Sequence, residues 1–151
     1  MGSVEGFLAA RIEARDGGFV CWAALIRVDD TLQWADAGCL GRAPQVTVAT
    51  AQCAGTIAVL KKMRALREQS PDVRLAMFTD SRQLVEELKG DWKQAQRGSS
   101  AVLDEATDLV RALAPLQLRY CSRHANLVAH EVLTGFLKRR GITVRAMVVR
   151  R

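Results

Sequence analysis

The sequence predicts an α/β domain built on one mixed sheet, with three antiparallel strands first and parallel strands after them. Three observations lead there. The first forty residues hold three strand-like runs separated by the turn pairs Asp16-Gly17 and Asp29-Asp30. From residue 47 onward, amphipathic helical spacing alternates with short apolar runs, the pattern of strand–helix–strand connections. The composition, 49% apolar and 25% charged over 151 residues, fits one globular domain able to bury a core and excludes disorder as the default.

The elements follow in order. Residues 7–15 form the first strand, and Asp16-Gly17 favours a tight hairpin into residues 18–28, rich in Phe19, Val20, Trp22, Leu25, Ile26 and Val28. Asp29-Asp30 turns the chain into residues 31–40, and Trp22 and Trp34, on neighbouring strands, are expected to pair across the sheet. Pro44 closes this meander. Residues 47–69 form a helix with Ala51, Ala54, Ala58, Leu60, Met63 and Leu66 on its apolar side, capped by Thr47 or Thr50 and ended by Ser70-Pro71. Residues 73–78 read as a buried strand that stops at Thr79-Asp80-Ser81, before helical spacing over 82–89. A polar stretch with Trp92 follows, then a helix over 101–113 broken by Pro115, a strand over 116–121 and a helix over 125–139. After Gly141, residues 142–149 read as one more strand, beyond the five of the main sheet. The order is β-β-β-α-β-α-α-β-α with an extra terminal β, in a single domain over 1–151 whose residues 141–151 form a basic extension.

The net charge of +6 is concentrated at that end. Lys138, Arg139, Arg140, Arg145, Arg150 and Arg151 account for all of it, and the remaining residues balance. Such a patch suits phosphate backbones or acidic partners. Cys21, Cys39, Cys53 and Cys121 form no C-x-x-C pair and sit in apolar runs, so they are expected as free, buried thiols of a reduced, cytoplasmic protein. The N-terminus lacks the pattern of a secretion signal, and no apolar run reaches the roughly 18 residues of a membrane span.

Thr79-Asp80-Ser81 at the end of the fourth strand, followed by Arg82-Gln83-Leu84-Val85, resembles the T-D-S junction of the ribonuclease H family. Ser122-Arg123-His124-Ala125-Asn126 through Ala129-His130-Glu131 is similar to that family's last strand-to-helix junction, and Ala23-Ala24-Leu25-Ile26-Arg27 to its second strand. The resemblance covers roughly residues 5–138 in element order. It implies a ribonuclease H-like fold with a five-stranded mixed sheet and flanking helices. It also implies the family's chemistry, hydrolysis of the RNA strand of an RNA–DNA hybrid by two Mg²⁺ ions held among four carboxylates.

Carried over position by position, the resemblance leaves one carboxylate of the four. Asp80 matches the T-D-S aspartate and is the one implied metal ligand. The helix glutamate falls at Gln52, the last-helix aspartate at His130, and the first-strand aspartate at Ala9 or Ala10. Such a set neutralises divalent ions poorly, and His130 favours softer metals than Mg²⁺. Glu13 and Glu131 are nearby in sequence and poorly directed as replacements. The expected cofactor is none, with Mg²⁺ or Mn²⁺ only if the site is active.

The candidate nucleic-acid contacts are Thr50, Ser81, Arg123, Asn126 and Arg145. Against them stand ordinary structural roles: Asp80 and Asn126 as helix N-caps, His130 as a partly buried helix residue, and His124 as an exposed loop residue. The basic protrusion of some family members is reduced here to Lys93 and Arg97. The expectation is a ribonuclease H-like protein, catalytically inactive or impaired, that binds RNA–DNA hybrid or other nucleic acid. Two alternatives stand beside it: an active metal-dependent hybrid nuclease with a rearranged site, and an interaction module that dimerises through residues 142–149. No membrane partner is expected.

Overall fold

The structure, a computed structural model, describes residues 2–13, 18–42, 45–90 and 101–139. The chain folds as β1 (Ser3–Glu13), β2 (Phe19–Val28), β3 (Thr31–Arg42), α1 (Val48–Gln69), β4 (Arg74–Thr79), α2 (Arg82–Leu88), α3 (Ala101–Ala112), β5 (Leu116–Tyr120) and α4 (Leu127–Arg139). One sheet runs β3-β2-β1-β4-β5, with β1–β2–β3 antiparallel and β4 and β5 parallel to β1. This is the mixed sheet expected from the sequence. Pro44, Asp16-Gly17, Trp92, Lys93, Arg97, Arg145 and the terminal strand over 142–149 lie outside the described residues.

Strand alternation divides the core. On one face Val20, Trp22, Ala24 and Ile26 of β2 join Val4 and Leu8 of β1, Leu75 and Met77 of β4 and Leu118 of β5 beneath α1, α2 and α3. On the other, Cys21, Ala23 and Leu25 of β2 and Phe7 and Ala9 of β1 meet Ala129, Leu133, Phe136 and Leu137 of α4. β1 is covered on both faces, as a central strand of an α/β sheet must be. It begins at Ser3, earlier than the sequence reading, because Val4 and Gly6 alternate inward with Leu8. α1 lies close on β1: a Cβ at Gly6 would stand 2.7 Å from Met63 and Val59, and one at Gly55 would clash with Leu8.

Asp29 and Asp30 have φ of 50° and 67°, the left-handed pair that a two-residue type I′ hairpin requires. Asp29 also accepts a bond from the Ser3 amide at 3.0 Å, tying the hairpin to the start of β1. Two expectations are corrected. Trp22 is opposite Gly38, and Trp34 opposite Ile26, so the tryptophans do not pair. Trp22 packs instead against Gly38 and Gly55, where the missing side chains leave room for its indole. Cys21 and Cys39 form a disulfide; the register shift after Val20 sets them directly opposite, and only Cys53 and Cys121 are free thiols. Among the described residues, no helix is long and apolar enough to cross a membrane.

Candidate functional site

The site forms where β1 and β4 end beside the start of α4. Leu8 pairs with Thr79 in the parallel register, so Ala9 comes level with Asp80 at the next position. Ala9 is packed against Ala129 of α4, whereas Ala10 packs toward the opposite core. The first-strand position that faces Asp80 is therefore Ala9, which has no ligand atom.

Local hydrogen bonds leave the Asp80 carboxylate available. The Thr79 hydroxyl accepts from the Ser81 amide at 3.2 Å, and the Ser81 hydroxyl caps α2 by accepting from Leu84 N at 3.1 Å. The cap is thus Ser81, and the expectation that Asp80 caps this helix is corrected. At the other junction, the Ser122 hydroxyl accepts from Ala125 N at 3.1 Å. Asn126 immediately precedes α4, but its side chain is no cap. Its Nδ2 donates across the sheet to Leu8 O at 2.7 Å and to Asp80 Oδ2 at 3.4 Å. A short polar side chain here pins the start of α4 to the end of β1.

One turn along α4, His130 is buried and bonded on both ring nitrogens. Nε2 lies 2.8 Å from Asp80 Oδ2, and Nδ1 lies 2.7 Å from Arg11 Nη2. A guanidinium can only donate, so Nδ1 must be the acceptor. The ring proton then sits on Nε2 and is donated to Asp80. The result is a directed chain, Arg11 to His130 to Asp80, with a neutral imidazole between a cation and a carboxylate. Arg11 is 6% exposed and shares a face of β1 with Ala9, two residues away. Burial alone would raise the Asp80 pKa. The hydrogen bond from His130, then the Asn126 bond and the Arg123 charge, together outweigh it and hold the carboxyl below its ordinary value. Burial, followed by the Asp80 charge, raises the neighbouring Cys121 thiol.

The structure therefore brings together Asp80, His130 and Asn126 of the sequence candidates and adds Arg11, which sequence reasoning missed. The signal for Arg11 was the one cation of β1, two residues beyond Ala9 on the same face. Gln52, half-buried on α1, takes no side-chain hydrogen bond with this group among the described residues. Thr47 caps α1, accepting from Thr50 N at 3.2 Å, and the Thr50 hydroxyl lies 3.0 Å from that of Thr47. Arg123 and His124 are exposed on the loop before α4, and Glu131 is exposed about 100° around that helix from His130. Among the described residues, no three His, Cys, Asp or Glu side chains are grouped to hold a metal ion. The donor set itself is unsuited to Mg²⁺: one carboxylate, an imidazole with both nitrogens engaged, and a guanidinium adjoining them.

A family model described as reverse transcriptase-like matches residues 23–134, well over half the chain. Gln52, Asp80 and His130 lie inside the match, and Ala9 and Arg11 outside it. No curated protein matches the chain by sequence. Among solved structures, a ribonuclease H1 isolated from compost by a metagenomic approach superposes with a TM-score of 0.70 at 16% identity, covering 87% of this chain and 93% of that one. Ribonuclease H1 of the halophilic archaeon Halobacterium salinarum gives 0.65 at 17% identity, with 86% and 93% covered. The N-terminal ribonuclease H domain of a Mycobacterium tuberculosis protein gives 0.63 at 20% identity, with 85% and 90% covered.

Proposed function

The chain belongs to the ribonuclease H family, and from that premise we propose that it binds nucleic acid without hydrolysing it by the two-metal route. The observation that carries this reading is the buried chain Arg11–His130–Asp80. Two-metal hydrolysis needs several carboxylates converging on hard cations. Here Ala9, Gln52 and His130 stand at three of the four positions, and the remaining carboxylate is already bonded to His130. A divalent ion approaching Asp80 would have to displace a hydrogen-bonded imidazole and meet the positive charge of Arg11 in a partly desolvated site.

The binding half of the reading rests on exposed groups around the same end of the sheet. Arg123, whose charge acts on Asp80, and His124 are exposed on the loop before α4, and the half-buried Thr50 stands in the first turn of α1. Beyond Lys138 the sequence adds the basic extension that contains Arg145. The compost ribonuclease H1 has been solved in complex with an RNA/DNA hybrid, and an RNA–DNA hybrid is the ligand class we assign to this chain. No metal cofactor is assigned.

The test is one preparation of folded protein assayed for both properties. Fluorescence anisotropy with a labelled RNA–DNA hybrid should show binding that weakens steeply as salt rises, and Arg123→Glu should weaken it further. The same hybrid should remain uncut in Mg²⁺ or Mn²⁺. Cleavage that requires metal and disappears in Asp80→Asn would overturn the reading in favour of an active, rearranged nuclease.

A further inference from the structure

The face of the sheet that carries α4 is incompletely covered. α4 packs over β1, β2 and β3. At the β4–β5 side the same face presents Arg74, Gln117 and Arg119 exposed, with Ala76 and Phe78 half-buried. These residues and Glu5 line a cavity of about 880 Å³, within the range of small-ligand sites, roughly 300–1,000 Å³.

The register orders this surface. Phe78 lies between Phe7 on β1 and Arg119 on β5, and Ala76 lies between Glu5 and Gln117. The Phe7 and Phe78 rings are stacked, 5.1 Å between centroids and 13° between planes. The Arg27 guanidinium covers Phe7 at 4.6 Å from the ring centroid while pairing with Glu5 at 3.3 Å. A stack of Arg27, Phe7 and Phe78 thus crosses β2, β1 and β4 and stops at the open cavity beside β5. Ala76, with no bulk, deepens the surface next to it.

The charges around the cavity are unbalanced. Glu5 is matched by Arg27. Arg119 stands opposite Phe78 on β5 and Arg74 stands four residues before it on β4; Asp72 also lines the cavity, but among the described residues neither arginine has a carboxylate within ion-pair distance. A flat apolar ring with one arginine beside it and a second four residues along the strand fits a ligand that alternates planar bases with anions. We propose that this face binds single-stranded nucleic acid, with a base stacked on Phe78 and phosphates on Arg74 and Arg119. The proposal rests on the nucleic-acid-binding reading above and gives it a second surface, on the open part of the sheet along β4 and β5. Aromatic platforms on open sheets beside arginines are a sequence-tolerant way to hold single strands.

The experiment uses the full chain, a labelled twelve-residue oligouridine and, separately, an RNA–DNA hybrid. Phe78→Leu should weaken oligouridine binding about tenfold, the scale of one lost base stack. Arg74→Gln and Arg119→Gln, both on the surface, should each weaken it and lower the salt slope by about one. Backbone amide shifts on titration should centre on β4 and β5, which locates the site without relying on the fold of Phe78→Leu. Oligouridine binding that all three variants retain overturns the inference. So does hybrid binding with no affinity for oligouridine. Amides of β4 and β5 that stay unmoved because residues beyond Arg139 or a second copy cover them overturn it as well. In each of these cases, hybrid binding sensitive to Arg123→Glu would leave the functional reading standing. Failure to bind either nucleic acid removes both.

Discussion

Replacing Arg11 by Met tests whether the buried chain is a coupled unit. The guanidinium donates to His130 Nδ1 at 2.7 Å, and both side chains are almost fully buried. Met retains an apolar stem of similar reach and removes the charge. The imidazole then keeps its bond to Asp80 but leaves a buried acceptor unmatched, which costs about 1–3 kcal/mol. Relief from desolvating a cation offsets part of the bond itself, so about 2 kcal/mol is expected. His130→Ala deletes both bonds and a buried ring, and about 4 kcal/mol is expected. For a chain of this size each kcal/mol lowers Tm by about 2–4 °C. The double variant should fall short of the sum by about 1–2 kcal/mol, since each substitution removes the partner of the other. Urea titrations of the four proteins measure the cycle. Additivity within about 0.5 kcal/mol would show that Arg11 and His130 do not act together.

The Asp80 carboxyl titrates below its ordinary value of 3.8 in the folded protein. Its contribution is therefore complete above the unfolded carboxylate range and is lost as pH falls through the lower, folded value. Asp80→Asn should flatten part of the acid limb of a stability–pH curve as pH falls through and below the ordinary carboxylate value; an unchanged limb would contradict the pairing with His130. Gly55→Ala should destabilise the fold by about 1–2 kcal/mol, because the clash with Leu8 exceeds the roughly 1 kcal/mol of helix propensity gained; a denaturation midpoint that rises would refute so close an approach of α1 to β1. Thiol titration should label Cys121 in the native protein and Cys53 only on unfolding, since burial and then the Glu87 charge push Cys53 up to about 11. Cys21 and Cys39 should require a reductant, and early labelling of either would contradict the disulfide.

The element order was legible because its signals are local. The Asp29-Asp30 turn, the caps around Thr47 and the strand ending at Thr79-Asp80 all depend on neighbours within a few residues. Asp80 and His130, which the structure brings within hydrogen-bond distance, each sit inside a short motif that carries its own register. What could not be read depends on long-range geometry. Arg11 meets His130 across 119 residues of chain, and a lone arginine in a strand reads as a solvated side chain until α4 is placed over it. The Cys21–Cys39 pairing depends on a register shift after Val20 that alternation alone does not reveal. The choice of Ser81 over Asp80 as the α2 cap is a competition between adjacent side chains, decided by the distant partner that Asp80 finds in His130.

The substitutions at the site form a consistent set when charge is followed through them. The four carboxylates implied by the family resemblance would be balanced by two divalent ions. In this chain the Asp80 carboxylate accepts from the neutral His130, and the Arg11 guanidinium stands behind that imidazole. Both arrangements set positive charge near carboxylate, and here the cation is part of the chain. It follows that restoring the carboxylates is insufficient while Arg11 stays. Ala9→Asp, Gln52→Glu and His130→Asp together would surround Arg11 with acids, and the guanidinium would compete with added metal for them. The same triple variant with Arg11→Ser has only mutual repulsion among its carboxylates, which a divalent ion relieves. Its Tm should rise on adding Mn²⁺, because an ion that binds only the folded state stabilises it, and should rise by more than that of the variant retaining Arg11. Equal responses would mean that Arg11 does not occupy the electrostatic place of the metal.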